Sequence, residues 1–204
     1  MRFSAQAKNL MLDSLDEAIA TGAKFASLHT AYSATGANEV AGGSPAYARK
    51  ALTWAAANLA QKATSGSVIF DVPGATTVRF IGMWDAATAG NFLGMTPNNG
   101  GVVQSFVCPD ITADLLRCVG HGFVNNDSLI VWGVPGDPLP GGLAEGTIYY
   151  VINATADDLQ LAATTGGAAI NLTAIGAGTL QKIIPEVFGA QGTHTITSAT
   201  MSLD

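Results

Sequence analysis

Apolar residues recur at three- and four-residue spacing between residues 4 and 20. This spacing places them on one face of a helix. Ser4 can cap the start of the predicted helix, and Gly22 is placed to end it. The helix serves either to pack on the protein's own sheet, which is the simpler interpretation, or to attach the protein to a partner. Its apolar stripe consists of Met11, Leu15, Ala18 and Ile19, and Leu12 flanks it.

Most of the remaining chain alternates apolar and polar residues over short runs, which is the pattern of half-buried β-strands. Turn-forming Gly, Pro, Asn and Asp residues separate the runs. Residues 67–72 and 76–84 are expected to form a hairpin, and residues 55–63 fit a helical turn or a loop. Many short strands separated by turns predict an all-β fold, a β-sandwich with one N-terminal helix. The other predicted strands are 27–32, 47–54, one from 92, 102–107, 129–132, 148–152, 159–162, 169–172, 180–183 and a closing strand within 187–203.

Charge is sparse in this chain, at 12% of residues with a net charge of −6, whereas 48% of residues are hydrophobic. No apolar run reaches the roughly 18 residues of a membrane span, and no cluster of Lys and Arg suits nucleic acid. Neither a membrane nor a nucleic acid is therefore expected as a partner. The low charge predicts a homo-oligomer whose surface is partly covered by neighbours, and a weakly charged monomer is the alternative. The polar N-terminus predicts no signal peptide.

Two cysteines and three tryptophans are interpreted as core residues. Cys108 and Cys118 lie ten residues apart without a metal-binding spacing, so two buried thiols are expected, with a disulfide as the alternative. Trp54, Trp84 and Trp132 each fall in an alternating run. Core packing is the favoured interpretation for them, and a platform for stacking sugars is the alternative.

No motif of an enzyme occurs in the sequence: the nucleophile elbow, HExxH, the P-loop and GxGxxG are all missing. His29 and His194 fall in predicted strands and are interpreted as structural. The imidazole of His121 is expected to bond to the backbone of its turn, and Asp157 with Asp158 to form another turn. We predict no catalytic, cofactor-binding or metal-binding residues. In particular, we expect no activity that depends on Ser44, His121 or Asp127.

Residues 27–54 read SLHTAYSATGANEVAGGSPAYARKALTW, and residues 70–94 read FDVPGATTVRFIGMWDAATAGNFLG. The first segment resembles the opening of a family of small tailed-phage virion proteins, which are labelled tail-fibre or minor tail proteins. In that family an N-terminal helix precedes the pattern SLHT…TGANE…GG..YAR…W. The second segment matches a later pattern of the same family, and the residues from Glu186 onward resemble its closing strand.

The stretch from Gly120 to Thr179 is similar to a small β module that recurs in phage tail and fibre proteins. It departs from that module where Asn125, Asn126 and Asp127 stand in place of Asn-Gly-Asp. Asn tolerates the left-handed backbone, so the turn is expected to form. The resemblances imply a discontinuous β-sandwich domain, residues 1–110 plus 185–204. Residues 111–184 would then be an inserted small β domain.

The same resemblances imply a structural component of a tailed-phage virion, in the tail, collar or baseplate, that binds other virion proteins. One alternative is a capsid decoration or head-associated protein. Another is a receptor-binding tip that engages a host-surface glycan. The chain lacks shaft repeats and coiled-coil heptads, so it is not an elongated fibre by itself. The expectation is a non-enzymatic virion protein without cofactors, assembled in the host cytoplasm.

Overall fold

The computed structural model describes residues 4–14 and 22–202. These residues form one helix and a series of short strands, which confirms the all-β class. They fall into two compact units, a first unit with the residues up to Thr96 and those from Glu186, and a second unit from Pro97 to Pro185. In chain order the elements are α1 (Ala5–Asp13), β1 (Phe25–His29), β2 (Lys50–Ala51), β3 (Gln61–Ala63), β4 (Val68–Val72), β5 (Thr76–Val78), β6 (Phe80–Trp84), β7 (Phe92–Pro97), β8 (Gln104–Asp110), β9 (Leu115–Arg117), β10 (Ser128–Trp132), β11 (Ile148–Ile152), β12 (Asp158–Ala162), β13 (Ala177–Ile183), β14 (Glu186–Phe188), β15 (Gly192–Ile196) and β16 (Thr200–Ser202).

The first unit holds a four-stranded sheet with the order β2–β1–β6–β7 and three two-stranded sheets. The two-stranded sheets pair β3 with β16, β4 with β15 and β5 with β14, all antiparallel. These pairs are nested, because the earliest of the three strands meets the last strand of the chain. Each of β3, β4 and β5 therefore depends on a partner strand that follows the second unit in sequence.

The core of the first unit is apolar and draws on most of these strands. Phe70 and Val72 of β4 are fully buried, as the alternation predicts, and the ring of Tyr47 stacks on Phe70 with 6.0 Å between centroids. The face-to-face arrangement of a sandwich stays a prediction. The buried cluster comprises Ala26, Leu28, Val40, Leu52, Phe70, Val72, Val78, Ile81, Phe188 and Ile196.

The second unit is a closed antiparallel barrel in which β8–β9–β12–β11–β10–β13 follow one another around the ring. The two ends of this unit lie side by side. The Ile184 N–H donates to the Asn98 backbone carbonyl at 3.1 Å, and the Asn98 side-chain Nδ2 donates to the Ile184 carbonyl at 3.2 Å. Closure leaves none of the six strands with an open edge. The interior is filled by Phe106, Cys108, Leu116, Cys118, Phe123, Leu129, Val131, Tyr149, Val151, Leu159, Leu161, Leu172 and Leu180.

The predicted hairpin of residues 67–72 and 76–84 is wrong. The two parts pair with C-terminal strands instead, β4 with β15 and β5 with β14. The run 76–84 is also divided at Arg79, whose N–H donates to the His29 carbonyl at 2.9 Å and whose guanidinium donates to the Thr30 carbonyl at 3.1 Å. The chain changes sheets at this residue, so a continuous apolar alternation spans two separate strands.

The strands on either side of residues 30–49 are shorter than expected. The first is β1, which ends at His29, and the second contracts to the two residues of β2. Residues 55–63 contain no helical turn. They form a tight turn at Leu59 and Ala60, both with positive φ, followed by β3. Polar and small residues dominate here, so the propensity for either regular structure is weak.

Two strands of the barrel, β8 and β9, are not among the strands that the sequence predicts for the inserted domain. The strand expected at 102–107 is β8, shifted to Gln104–Asp110, and it pairs with β9 and β13 inside the second unit. The expected boundary at residue 111 thus falls after a barrel strand, whereas the units divide at Pro97. The predicted strand 169–172 is reduced to a single bridge between Ala162 and Ala169. Whether each unit folds alone stays a prediction.

Helix α1 begins as predicted and ends earlier. The Ser4 hydroxyl accepts a hydrogen bond from the Ala7 N–H at 3.2 Å, which confirms Ser4 as the N-cap. The helix ends at Asp13 with Ser14 as its C-cap, so Gly22 does not end it. Leu15, Ala18 and Ile19 of the predicted stripe lie outside the described residues.

Polar side chains join α1 to the turn before β3. Asn9 Oδ1 accepts from the Ala60 N–H and Asp13 Oδ1 from the Ala57 N–H, both at 2.8 Å. Asp13 Oδ1 also lies 2.6 Å from the Nζ of the buried Lys62. Met11 of the predicted stripe is exposed, whereas the flanking residue Leu12 is buried. The helix packs on the protein's own strand, chiefly through these polar contacts.

We expect acid to weaken the attachment of α1. The hydrogen bond with Lys62 holds the pKa of Asp13 below its ordinary value. A carboxyl group whose pKa is lower in the folded state stabilises the fold above its unfolded pKa, and this contribution disappears as pH falls through the folded pKa. Hydrogen exchange at the Ala57 amide should therefore speed up below about pH 4, after correction for intrinsic exchange.

Asp13→Asn is the matched control, because asparagine keeps an oxygen acceptor and lacks the titration. Its Ala57 protection should not change with pH in this range. Constant protection of Ala57 in the wild-type chain from about pH 5 to about pH 2 would contradict a role for the Asp13 charge.

Candidate functional site

The polar residues of segment 27–54 converge on one arginine. Arg49 makes a two-pronged ion pair with Glu39, with Nε 3.0 Å from Oε1 and Nη2 2.8 Å from Oε2. The Arg49 and Glu39 side chains are only 10% and 21% exposed. Ion pairs of this planar geometry are among the stronger ones, because both donors are aligned with both acceptors. The pair closes the loop between β1 and β2.

Arg49 also binds the turn that follows β6. Its Nη1 donates to the carbonyls of Ala86 at 3.2 Å and Ala89 at 2.7 Å, and its guanidinium lies 3.4 Å from the centroid of a ring of Trp84. A cation over an indole face is attracted by the electron density of the ring. We call Glu39, Tyr47, Arg49 and Trp84 the arginine clamp.

Tyr47 connects the other clamp residues to strand β1. Its hydroxyl accepts from the Leu28 N–H at 2.8 Å and donates to Glu39 Oε1 at 3.3 Å. Burial raises the pKa of Tyr47 well above its ordinary value, so the phenol stays protonated. It therefore acts as a fixed hydrogen-bonding bridge.

A serine and a histidine lie beneath the clamp in the geometry of a nucleophile and its base. The Ser27 Oγ is 2.7 Å from His29 Nε2, and His29 Nδ1 is 2.9 Å from the Ala37 carbonyl. Nδ1 thus carries the ring proton, and Nε2 accepts from the serine. The Trp84 indole N–H donates to the same Ser27 oxygen at 2.9 Å. This pair escaped the sequence interpretation, in which His29 was considered alone.

Ser27 and His29 are fully buried, so the serine oxygen is not exposed to solvent in this structure. Burial also lowers the pKa of His29, which keeps the imidazole neutral inside the sheet. Both ring nitrogens of His29 have a hydrogen-bond partner. The Ser27–His29 pair therefore fixes the loop after β1 to that strand, through the bond from His29 to the Ala37 carbonyl.

Gly82 provides the space that this pair occupies. A Cβ added there would lie 2.5 Å from His29 Nε2 and from Ser27 Oγ. We expect Gly82→Ala to lower the free energy of unfolding by about 1–3 kcal/mol, because the buried side chains cannot move aside freely. Denaturant titration gives this value.

Gly66→Ala is the control for that substitution, because no atom lies within 4 Å of its added Cβ. Its effect should stay within about 0.5 kcal/mol. Equal effects of the two substitutions would show that the Ser27–His29 packing does not constrain position 82.

The other histidines named from the sequence are also held by the protein. His121 Nδ1 accepts from the Phe123 N–H at 2.8 Å, which confirms the expected backbone bond. His194 Nδ1 is 2.6 Å from Glu186 Oε2, so it links β15 to β14. Asp157 accepts from the Gly120 N–H at 2.9 Å.

The structure does not combine the remaining candidates into a reactive group. Ser44 is exposed in the first unit, and its N–H donates to the Gln191 side chain at 2.8 Å. Asp127, in the second unit, pairs with Lys182 at 2.6 Å and accepts from the Val124 N–H at 3.0 Å. The described residues contain no group of three or more His, Cys, Asp or Glu side chains suited to a metal ion.

The cysteines and tryptophans lie mainly in the interior. Cys108 and Cys118 are free and buried, as expected, and burial raises the pKa of both thiols. The Trp84 ring is buried against Phe92, with 5.1 Å between centroids. Trp54 is half-buried, and its indole N–H donates to the Ala23 carbonyl at 2.7 Å. All Phe, Tyr and Trp side chains in the described part of the chain are buried or half-buried.

A shallow pocket of ≈ 350 Å³ lies beside the clamp. It is lined by residues 39–42, 47–49 and 87–89, which include Glu39, Tyr47 and Arg49. These three side chains already bind one another or the backbone. The charged and phenolic side chains of the pocket are therefore engaged within the clamp.

The part of the chain that precedes the barrel strands is similar to a known protein family. A family model described as Podophage GP4 fiber I protein gp80 matches residues 2–99. The match spans the clamp and every strand of the first unit that precedes the barrel. Curated proteins and solved structures gave no significant match.

Among the described residues, no helix has the length and apolar character to span a bilayer. The matched residues 2–99 include the arginine clamp and the strands β1 to β7. The similarity to the podophage fibre family over residues 2–99 supports a structural protein of the tailed-phage virion, of the tail or fibre type.

Proposed function

We propose that this protein is an assembly component of the phage tail, collar or baseplate that acts by binding other virion proteins and copies of itself. The observation that carries the proposal is the use of the polar residues in segment 27–54. Ser27, His29, Glu39 and Arg49 bind one another, neighbouring side chains or the backbone. Such a segment builds a rigid support, because its hydrogen-bonding capacity is directed inward.

The surface supports the same proposal. Large aliphatic side chains are exposed on both units although few residues carry charge, and such surfaces favour association with other proteins. Because none of the described aromatic side chains is exposed, a stacking platform for sugars has less support than a protein interface. The exposed residues are Leu10, Met11, Leu59, Ile69, Leu93, Val102, Val103, Val107, Ile111, Val119, Val124, Ile175, Ile184 and Val187.

The thiols agree with assembly in a reducing compartment. Cys108 and Cys118 are free within the barrel core, as expected for a protein that folds in the host cytoplasm before it joins a particle. No catalytic role is proposed. A hydrolase assay on capsule or peptidoglycan should show no activity, and activity lost in Ser44→Ala or His121→Ala would contradict this part of the proposal.

The decisive experiment is to locate the protein on intact particles. Gold-labelled antibodies against the purified chain should mark the tail, collar or baseplate. Labelling over the whole capsid surface would instead support the decoration alternative, and a particle without any label would contradict a virion role. Binding of the purified chain to host cells, competed by surface glycans, would support a receptor-binding tip.

A further inference from the structure

Residues 97–100 form a tight turn at the start of the second unit. The Gly100 N–H donates to the Pro97 carbonyl at 3.3 Å, and Asn99, the third residue of the turn, has a φ of +48°. Apart from glycine, asparagine and aspartate are the residues that adopt this left-handed backbone most readily. The turn therefore restricts position 99 to a small set of residues, and asparagine is one of them.

Position 100 of the same turn has room only for glycine. A Cβ added there would lie 2.9 Å from the Lys182 carbonyl oxygen and 2.9 Å from the Pro97 Cβ. Contacts this short would force the backbone to move. The shape of the turn thus places Asn99 directly before a glycine, and no other asparagine in the chain is followed by glycine.

The two groups of this pair that can react with each other are both available. The Asn99 side chain is exposed and makes no hydrogen bond to another described residue. The hydrogen bond of the Gly100 N–H, at 3.3 Å, is longer than the usual range for N–H donors. Asparagine is a thermolabile residue, because the amide nitrogen that follows it can attack its side-chain carbonyl carbon. Glycine has no side chain to hinder this approach.

Other exposed asparagines lack this combination. Asn58, Asn126 and Asn171 are exposed, but each is followed by leucine or aspartate. After Asn171, the next N–H donates to an Asp114 carboxylate oxygen at 2.7 Å. After Asn126, the next N–H donates to the Val124 carbonyl at 3.0 Å. These nitrogens are both more hindered and more firmly bonded than that of Gly100.

We infer that Asn99 is a site of spontaneous deamidation in the folded chain. The Gly100 nitrogen gives its proton to a hydroxide ion and bonds to Asn99 Cγ, which closes a succinimide ring. The side-chain nitrogen takes a proton from water and leaves as ammonia, so the hydroxide ion is restored. A water molecule then adds to either carbonyl of the ring and breaks its bond to nitrogen. The products are aspartate and isoaspartate, and only water is consumed.

The modification changes the turn in two ways. Both products change the net charge from −6 to −7, and isoaspartate also lengthens the main chain by one methylene group. The adjacent Asn98 carbonyl accepts from the Ile184 N–H at 3.1 Å. The longer main chain displaces this acceptor, so amide exchange at Ile184 should accelerate. The inference goes beyond the proposed virion role and does not depend on it.

Peptide mapping of the folded full-length chain during incubation at mildly alkaline pH tests the inference. The peptide that contains Asn99 should gain the mass expected when OH replaces NH2, and in isotope-labelled water it should take up a solvent oxygen. Isoaspartate and aspartate should both appear. Peptides that contain the three exposed control asparagines should remain unmodified over the same time.

Asn99→Gly is the matched variant, because glycine keeps the left-handed backbone without a reactive side chain. Its amide exchange at Ile184 should stay constant during incubation, whereas in the wild type it should rise with the fraction of isoaspartate. Freshly purified Asn99→Asp has the added charge without the added methylene group. Its exchange at Ile184 should match that of the fresh wild type.

Four results would overturn the inference. Conversion of Asn99 in urea-unfolded chain but not in folded chain would show that the fold protects the pair. Equal conversion at the control asparagines would show that the turn does not select Asn99. Aspartate without isoaspartate would contradict the ring intermediate. An equal rise of Ile184 exchange in Asn99→Gly would contradict the effect of the longer main chain.

Discussion

Replacing Arg49 with alanine should lower the free energy of unfolding of the first unit by about 3 kcal/mol or more. The substitution leaves Glu39 partly buried without its ion-pair partner, and removal of one member of a buried pair typically costs 3–5 kcal/mol. It also removes the donors to the Ala86 and Ala89 carbonyls and the cation above Trp84. Denaturant unfolding followed by tryptophan fluorescence measures the loss.

Two further variants distinguish the effect of losing the clamp contacts from the effect of losing one positive charge. Arg117→Ala removes an arginine that also pairs with a carboxylate, Asp158, but is largely exposed on the barrel. Its effect should be small, because exposed ion pairs are screened by water. Arg49→Lys should recover little of the stability, because an ammonium group cannot make the two-pronged contact. Equal losses in Arg49→Ala and Arg117→Ala would show that the clamp does not hold the first unit.

Truncation after Pro185 should abolish cooperative unfolding of the first unit, although it removes only the end of the chain. The missing residues include β14, β15 and β16, which are the partners of β5, β4 and β3. Without them the backbone groups of three strands lose their bonds, and the apolar faces around Phe70 and Val72 are exposed to water. Calorimetry should retain the barrel transition and lose the other.

Internal deletion of residues 98–184 is the matched comparison and should have the opposite outcome. Asn98 and Ile184 are hydrogen-bonded to each other, so a short Gly linker can replace everything between Pro97 and Pro185. A shorter loop between β5 and β14 also costs less entropy to close. The product should unfold cooperatively with β-type circular dichroism. An unfolded deletion product together with a normally folded truncation would contradict the division into two units.

Local features of the fold were predictable from the sequence. The barrel strands β10, β11 and β12 start within one residue of the expected positions, because each is an apolar alternation bounded by turn residues. The Ser4 cap and the backbone bond of His121 also depend on residues only two or three positions apart. Such contacts are largely determined by short-range geometry.

Contacts between distant segments of the chain were harder to predict from the sequence. The alternation in β4 and β5 shows that they are strands, but it does not identify β15 and β14 as their partners. Because β4 and β5 are close in sequence, a hairpin was predicted. Both strands pair with C-terminal strands instead. Likewise, neither the Glu39–Arg49 pair nor the bond from Trp84 to Ser27 follows from a motif. The resemblance to phage proteins marked the segment, and the structure shows what its residues do.

The nested pairing of the first unit also determines the order in which the protein can be completed during synthesis. A ribosome releases the chain from its N-terminus, and domains generally fold as units once all of their residues have emerged. The barrel is contiguous from Pro97 to Pro185, so it can close while the first unit still lacks three strands. We therefore expect the barrel to form on the nascent chain and the first unit only after β16 has emerged. A chain interrupted before β14 would therefore contain a closed barrel and an incomplete first unit.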